Sequence, residues 1–177
     1  MKEISLHLLD LIENSVAAGA GSVDLDVREN QAEDTLQIVV IDDGRGIPAD
    51  MLRTAADPFT TTRDTRKVGL GLPLLAAAAE QAAGRFEVTS EPGKGTTVRA
   101  EFRLTHVDRA PLGRIEETLA TAAALHPTLD LRFRHSAVAG QYRVDTTALR
   151  AAGGPAALLR QIRQLIKDGR ARIHSIA

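Results

Sequence analysis

The chain has no cysteine and no tryptophan, and aromatic residues make up only 3% of its 177 positions. Without cysteine there are no disulfides, thiolate metal sites, iron–sulfur clusters or cysteine nucleophile, which suits a reducing compartment. So few aromatics leave no stacking platform for single-stranded nucleic acid. An excess of one charge is also missing: 22 basic residues stand against 23 acidic ones, net −1, so overall charge makes no case for nucleic-acid or membrane binding. No apolar run approaches the roughly 20 residues of a membrane span. The opening stretch MKEISLHLLDLIENS carries acidic residues among its apolar ones, unlike a signal peptide. The expectation is a soluble cytoplasmic protein with no membrane or nucleic-acid partner. The P-loop pattern and the GxGxxG dinucleotide fingerprint are both lacking.

The balance present is globular, at 44% hydrophobic and 25% charged. The length suits one domain with a sizeable addition, or two small ones. Residues 1–105 hold 11 basic and 17 acidic residues, net −6, and residues 106–177 hold 11 basic and 6 acidic, net +5. The boundary is set near Thr105, with Pro111 and Gly113 just beyond it as a connection.

Periodicity predicts a helix over residues 3–18, with Leu6, Leu9, Ile12 and Val16 on its apolar side. Val23, Leu25 and Val27 alternate with charged residues in a half-buried strand over 22–28. The more continuously apolar LQIVVID, residues 36–42, predicts a central strand. Pro48 opens a short helix, DPFTTTRDTRKVGLG reads as a mobile loop, and Pro73 opens the next helix. Strands near 85–90 and 96–104 follow. The remainder reads as a helix over 114–125, strands over 129–135 and 141–146, and a helix from Pro155 to Asp168 capped by Gly169.

Four short features carry chemistry. Asp10 and Asn14 are four apart on the first helix, hence on one face; a carboxylate and an amide oxygen there suit a water and a Mg²⁺ ion. Asp42, with Gly44 and Gly46, ends the central strand; a fixed acceptor suits an exocyclic amine such as adenine's, and the glycines let the backbone turn and a flat ring approach. Gly69-Leu70-Gly71-Leu72 precedes a helix, where backbone N–H groups and the helix dipole favour phosphate; Lys67 and Arg63 lie close in sequence. Gly93-x-Gly95-Thr96-Thr97 enters a strand, where a threonine hydroxyl could complete a water network with Asp42. Singly, each has an ordinary explanation: a polar helix stripe, an Asp-Gly turn, glycines before a helix, a hairpin.

In this order and spacing, ENSVAAGA, VIDDGRGIP, DPFTTTR, KVGLGLPLL and GKGTTVRAEF resemble the GHKL ATPases, the superfamily of histidine kinases, gyrase B, a heat-shock chaperone ATPase and MutL. The resemblance covers residues 1 to about 104. It implies a two-layer α/β sandwich of Bergerat type, a mixed sheet with helices on one face, to which residues 106–177 add a small α+β extension. It also implies ATP and Mg²⁺ as ligands. By position, Asn14 resembles the Mg²⁺ ligand, Asp42 the adenine-binding aspartate flanked by Gly44 and Gly46, and Thr96 the threonine near the base. Phe59 through Lys67, including Thr62 and Arg63, resemble the ATP lid. Val68, Gly69, Leu70, Gly71 and Leu72 resemble the phosphate-contacting segment. The lid looks more like sensor histidine kinases, the ENSVAAGA helix more like MutL. DPFTTTRDTRKVGLGL and HVDRAPLG are also similar to small stand-alone ATP-binding proteins encoded near iron-hydrogenase genes.

Two departures matter. Hydrolases of the superfamily carry Glu as the water-activating base where this chain has Asp10, whose carboxylate reaches about 1.5 Å less far. Hydrolysis is therefore expected to be slow, and Glu13 points roughly 100° away from Asn14 around the helix. In addition, the chain begins at the Asn14 helix, and none of His7, His106, His126, His135 or His174 is followed by an acidic residue as the kinase acceptor box requires. The phosphoacceptor is therefore expected on a partner protein. His7 shares the face of Asp10 and Asn14, where it could flank the nucleotide, and is read first as a solvated or capping residue.

Residues 106–177 have three open readings: an interaction module, a dimerisation element, or an extension of the sheet. In LRFRH, Arg132, Arg134 and His135 form a basic strand that could meet an acidic partner or the acidic first domain of a second copy, or simply face solvent.

Overall fold

The structure, a computed structural model, describes residues 3–55, 71–151 and 153–174. The elements in chain order are α1 (Ile4–Ala17), β1 (Ser22–Asn30), β2 (Thr35–Asp42), α2 (Ala49–Ala55), α3 (Gly71–Gln81), β3 (Arg85–Glu91), β4 (Gly95–Arg103), α4 (Ile115–Leu125), β5 (Asp130–Ala137), β6 (Gly140–Asp145), α5 (Thr146–Ala151) and α6 (Pro155–Ile173). The strands form one mixed sheet in the order β3-β4-β2-β1-β5-β6. Among the described residues only β1 and β5 run parallel, and the other four pairings are antiparallel. β2 lies inside the sheet, as its continuous apolar run requires.

Alternation sorts the side chains. Val23, Leu25, Val27, Leu36, Ile38, Val40, Phe102, Leu131 and Phe133 are buried towards the helices and join Leu8, Ile12, Leu75, Leu119 and Ile162 in one core. The intervening positions on β1 and β5 are charged, and they pair. Arg132 Nη2 donates to Asp24 at 2.8 Å and Arg134 Nε to Asp26 at 3.0 Å, each directly opposite its partner in the parallel register. Burial pushes the Asp26 carboxyl up, but hydrogen bonds from Arg134 and Arg28 outweigh it and hold it below the usual value. The acidic surface met by the basic strand is therefore the first half of the same chain.

Residues 106–174 thus continue the sheet at the edge of β1 and fill the same core. They also support α1. The first N–H groups of a helix have no intrahelical acceptor; here Ile4 N–H donates to Pro111 O at 2.9 Å and Ser5 N–H to Leu112 O at 3.0 Å.

Several local expectations shift. The inward face of α1 is Ile4, His7, Leu8, Leu11, Ile12 and Ser15, while Leu6 is exposed. The last helix does not stop at Gly169. It runs on to Ile173, and Gly169 lies within it under the Tyr142 ring, where a Cβ would lie 2.2 Å from Cγ. The short α5 was not foreseen.

His7 is the clearest correction. It is 1% exposed, and among the described residues neither ring nitrogen has a hydrogen-bond partner, so it neither caps the helix nor meets solvent. Burial pushes its pKa down from 6.5 to about 4. The folded protein holds a neutral imidazole that the unfolded chain protonates first. Its contribution is therefore intact above pH 6.5 and lost as pH falls towards about 4. The expected loss across that window is roughly 2–3 kcal/mol. Urea unfolding at about pH 7.5 and about pH 4.5 should show it, and His7→Leu should remove most of the difference. An equal pH dependence in the variant would rule this account out.

Candidate functional site

A cleft of about 680 Å³ opens between α1, the start of α3, and the ends of β2 and β4. Its floor is the sheet, through Val40, Asp42, Thr96 and Val98, and Leu11 and Asn14 stand on one wall. An apolar slot with a few convergent polar groups is what a flat heterocycle needs.

Asp42 continues the inward face of Leu36, Ile38 and Val40, so its carboxylate stands on the helix side of the sheet. Thr96 is its direct partner on β4. The carboxylate is held on both sides: Oδ1 accepts the Gly44 N–H at 2.9 Å, and Oδ2 accepts from Ser15 Oγ at 3.0 Å. Asp43 faces away. It accepts from the Gly21 and Ser22 N–H groups at 2.8 and 2.9 Å, and these bonds, led by that of Ser22, hold its carboxyl below the usual value.

The glycines join two loops. Gly46 has φ +71° and a Cβ there would lie 2.3 Å from Glu91 O; Gly95 has φ +94° and its Cβ would lie 1.9 Å from Asp42 O. The β2–α2 and β3–β4 connections can therefore close against each other at the end of the cleft. Ser90 staples them. Its Oγ accepts the Ile47 N–H at 2.8 Å, donates to Gly95 O at 2.8 Å and lies 3.0 Å from Thr96 Oγ1. Ser15 and Ser90 were missed at the sequence level: each sits in an ordinary pattern, and only the pairing of distant segments gives it a partner.

At the other end, α3 abuts α1. A Cβ on Gly71 would lie 2.9 Å from Asp10 Cβ and 3.4 Å from Asn14 Nδ2. Leu72 is buried and lines the cleft. Asp10 and Asn14 are half-buried, one turn apart, and Asn14 Nδ2 is buried without a hydrogen-bond partner among the described residues. Burial, and then the charge of Glu13, push the Asp10 carboxyl above its ordinary value. Glu13 itself turns to α4, where its Oε1 lies 2.8 Å from His126 Nε2. Phe59, Thr62, Arg63, Lys67, Val68, Gly69 and Leu70 lie outside the described residues.

Residues 2–106 match the model of the histidine kinase-, DNA gyrase B- and HSP90-like ATPase family. The chain belongs to this family. The described residues that line the cleft all lie within the matched segment, so the cleft belongs to the ATPase domain. The segment is 34% identical over 102 residues to sporulation kinase A of Bacillus subtilis, covering 58% of this chain and 16% of that protein. It is 38% identical over 111 residues to sensor kinase CckA of Brucella abortus, covering 60% and 12%. It is 36% identical over 113 residues to the DNA mismatch repair protein MutL of Halobacterium salinarum, covering 59% and 17%. The chain thus spans less than a fifth of these relatives. The crystal structure of the N-terminal domain of a DNA repair protein shares the fold, with a TM-score of 0.55 at 14% identity over 82% of this chain and 52% of that one. That coverage exceeds what residues 2–106 can supply, so the shared fold takes in part of the C-terminal segment as well. Among the described residues, no helix is long and apolar enough to cross a membrane.

Proposed function

We propose that this chain binds Mg-ATP in the cleft and acts in the cytoplasm as a regulatory, histidine-kinase-like module that transfers phosphate to, or switches, a partner protein. One observation carries the reading: the cleft is lined by a fixed carboxylate and a hydroxyl, Asp42 and Thr96, and by Asn14, and Asp10 stands one turn before Asn14, packed against Gly71 at the start of α3. The first pair suits the base and the second the phosphates. Arg63 and Lys67, with the lid around Phe59 and Thr62, are assigned to the γ-phosphate by their resemblance to the family, and Val68 through Leu72 to the phosphate chain.

For Mg²⁺ the residues fit. The Asn14 amide has a buried nitrogen with no partner among the described residues, and a rotated amide presents its oxygen at the same spot. Asp10 adds a carboxylate on the same helix face, and hard oxygen donors beside phosphates suit this ion. Bound there, Mg²⁺ would neutralise phosphate charge. The chain's own part is positioning: Asp42 orients the base, the start of α3 offers N–H groups to phosphate, and Asp10 orients or deprotonates the attacking group.

A second reading is a slow ATPase clamp in which ATP draws two copies together and Asp10, its carboxyl raised by burial, takes the proton of the attacking water. Incubation of the full chain with γ-labelled ATP and Mg²⁺ separates the two. Label on a partner or on the protein itself supports transfer. Free phosphate, together with a shift on a sizing column, supports the clamp. Asp10→Asn is expected to lower either turnover by about 100-fold while ATP affinity stays within about threefold. Unchanged turnover would remove Asp10 from the chemistry.

A further inference from the structure

At the end of β1 remote from the cleft, three side chains that no nucleotide role uses converge. Glu29 ends β1, His135 lies on β5, and His174 follows α6. His135 Nε2 is 2.8 Å from Glu29 Oε1. His174 Nε2 is 3.1 Å from both Glu29 oxygens. All three potential ligand atoms lie within 4.8 Å of one another. Asp42 pairs with Val23 and Leu36 with Glu29 across the same ladder, so roughly 20 Å of strand separates this cluster from the cleft.

The outer nitrogens of the two rings have partners that orient them. His174 Nδ1 lies 3.0 Å from the Arg170 carbonyl oxygen. A carbonyl only accepts, so Nδ1 is the donor in that contact and Nε2 is the nitrogen turned towards the carboxylate. A positive charge, either a proton or a metal ion, has to stand between them. His135 Nδ1 lies 3.1 Å from Tyr142 Oη, which can accept its proton and leave Nε2 free in the same sense. Metal-bound imidazoles typically show this arrangement, with the far ring nitrogen donating to a carbonyl or hydroxyl.

We propose that Glu29, His135 and His174 form a three-ligand site for a divalent first-row transition metal of the zinc class, with its remaining position open to water. Ligand atoms around a tetrahedral ion at 2.0–2.1 Å stand roughly 3.3 Å apart. The present spacings of 2.8 and 3.1 Å therefore need to open by only a few tenths of an ångström. Two imidazoles and one carboxylate suit zinc, cobalt or nickel better than magnesium or calcium. The ion joins one residue of the ATPase domain to two residues of the C-terminal segment. It thereby clips the end of α6 to β1 and β5, a structural role that the nucleotide cleft does not require.

The test uses the full chain, stripped by a chelator, without nucleotide. Titration with Zn²⁺ is expected to show one equivalent bound, and Co²⁺ to give the absorption of a low-symmetry site with imidazole ligands. Zn²⁺ at 100 times its Kd is expected to raise the melting temperature by about 5–10 °C. His135 is fully buried, so variants there risk the fold; His174 is exposed and Glu29 sits at a strand end. His174→Ala and Glu29→Gln are each expected to weaken Zn²⁺ binding at least about 100-fold, with unchanged circular dichroism and ATP affinity. No Zn²⁺ binding by the native chain would overturn the proposal. So would binding that survives in either variant, or binding lost only in Asp10→Asn.

Discussion

Residues 1–105 expressed alone are expected to lack a cooperative melt and to aggregate, although the matched ATPase segment spans nearly the same residues. The cut strips β1 of its partner along Ser22–Arg28 and leaves an open edge of backbone donors and acceptors. It removes Ile115, Leu119, Leu131, Phe133 and Ile162 from the shared core, all nearly or fully buried. Full burial of such a side chain contributes about 1.5–3 kcal/mol. Five of them amount to a sum of the same order as the total stability of a domain, about 5–15 kcal/mol. The site suffers too. The Ile4 and Ser5 N–H groups lose their acceptors at Pro111 and Leu112, and Glu13 loses His126, all on the helix that carries Asp10 and Asn14. Circular dichroism melts and ATP titration of the fragment check this. A cooperative melt with ATP affinity within about threefold of the full chain would show that the C-terminal segment is dispensable.

Asp42→Asn is expected to weaken ATP binding by about 10- to 150-fold with little change in stability. The replacement keeps an oxygen for the Gly44 N–H, and the Ser15 hydroxyl can turn to meet either a donor or an acceptor. In the proposed site, what changes is the group offered to the base. An ionised acceptor becomes neutral, and one face turns into a donor directed at an amine that also donates. Hydrogen bonds to charged groups contribute about 1.5–3 kcal/mol, which sets the range. Calorimetric titration with ATP and with GTP reads both affinity and selectivity. ATP affinity unchanged in a variant that melts normally would remove Asp42 from base recognition.

The sequence by itself determined a good deal. Period-two and helical spacing located most elements within a few residues, because burial on one face of a strand or helix leaves its mark on neighbouring positions. The ordered set of short motifs placed Asn14, Asp42, Gly46, Leu72 and Thr96, all of which the fold brings to one cleft. Contacts between partners far apart in the chain follow from the packing alone. His7 sits on the face shared by Asp10 and Asn14, yet packing buries it. Ser15 and Ser90 gain roles only when α1 meets β2 and β3 meets β4. The net −6 and net +5 halves of the chain are joined by the parallel pairing of β1 with β5, which sets Arg132 and Arg134 opposite Asp24 and Asp26. Glu29 meets His135 and His174 across separations of 106 and 145 residues. Local patterns record which side of an element is buried; the packing of the whole core selects the strand that lies beside it.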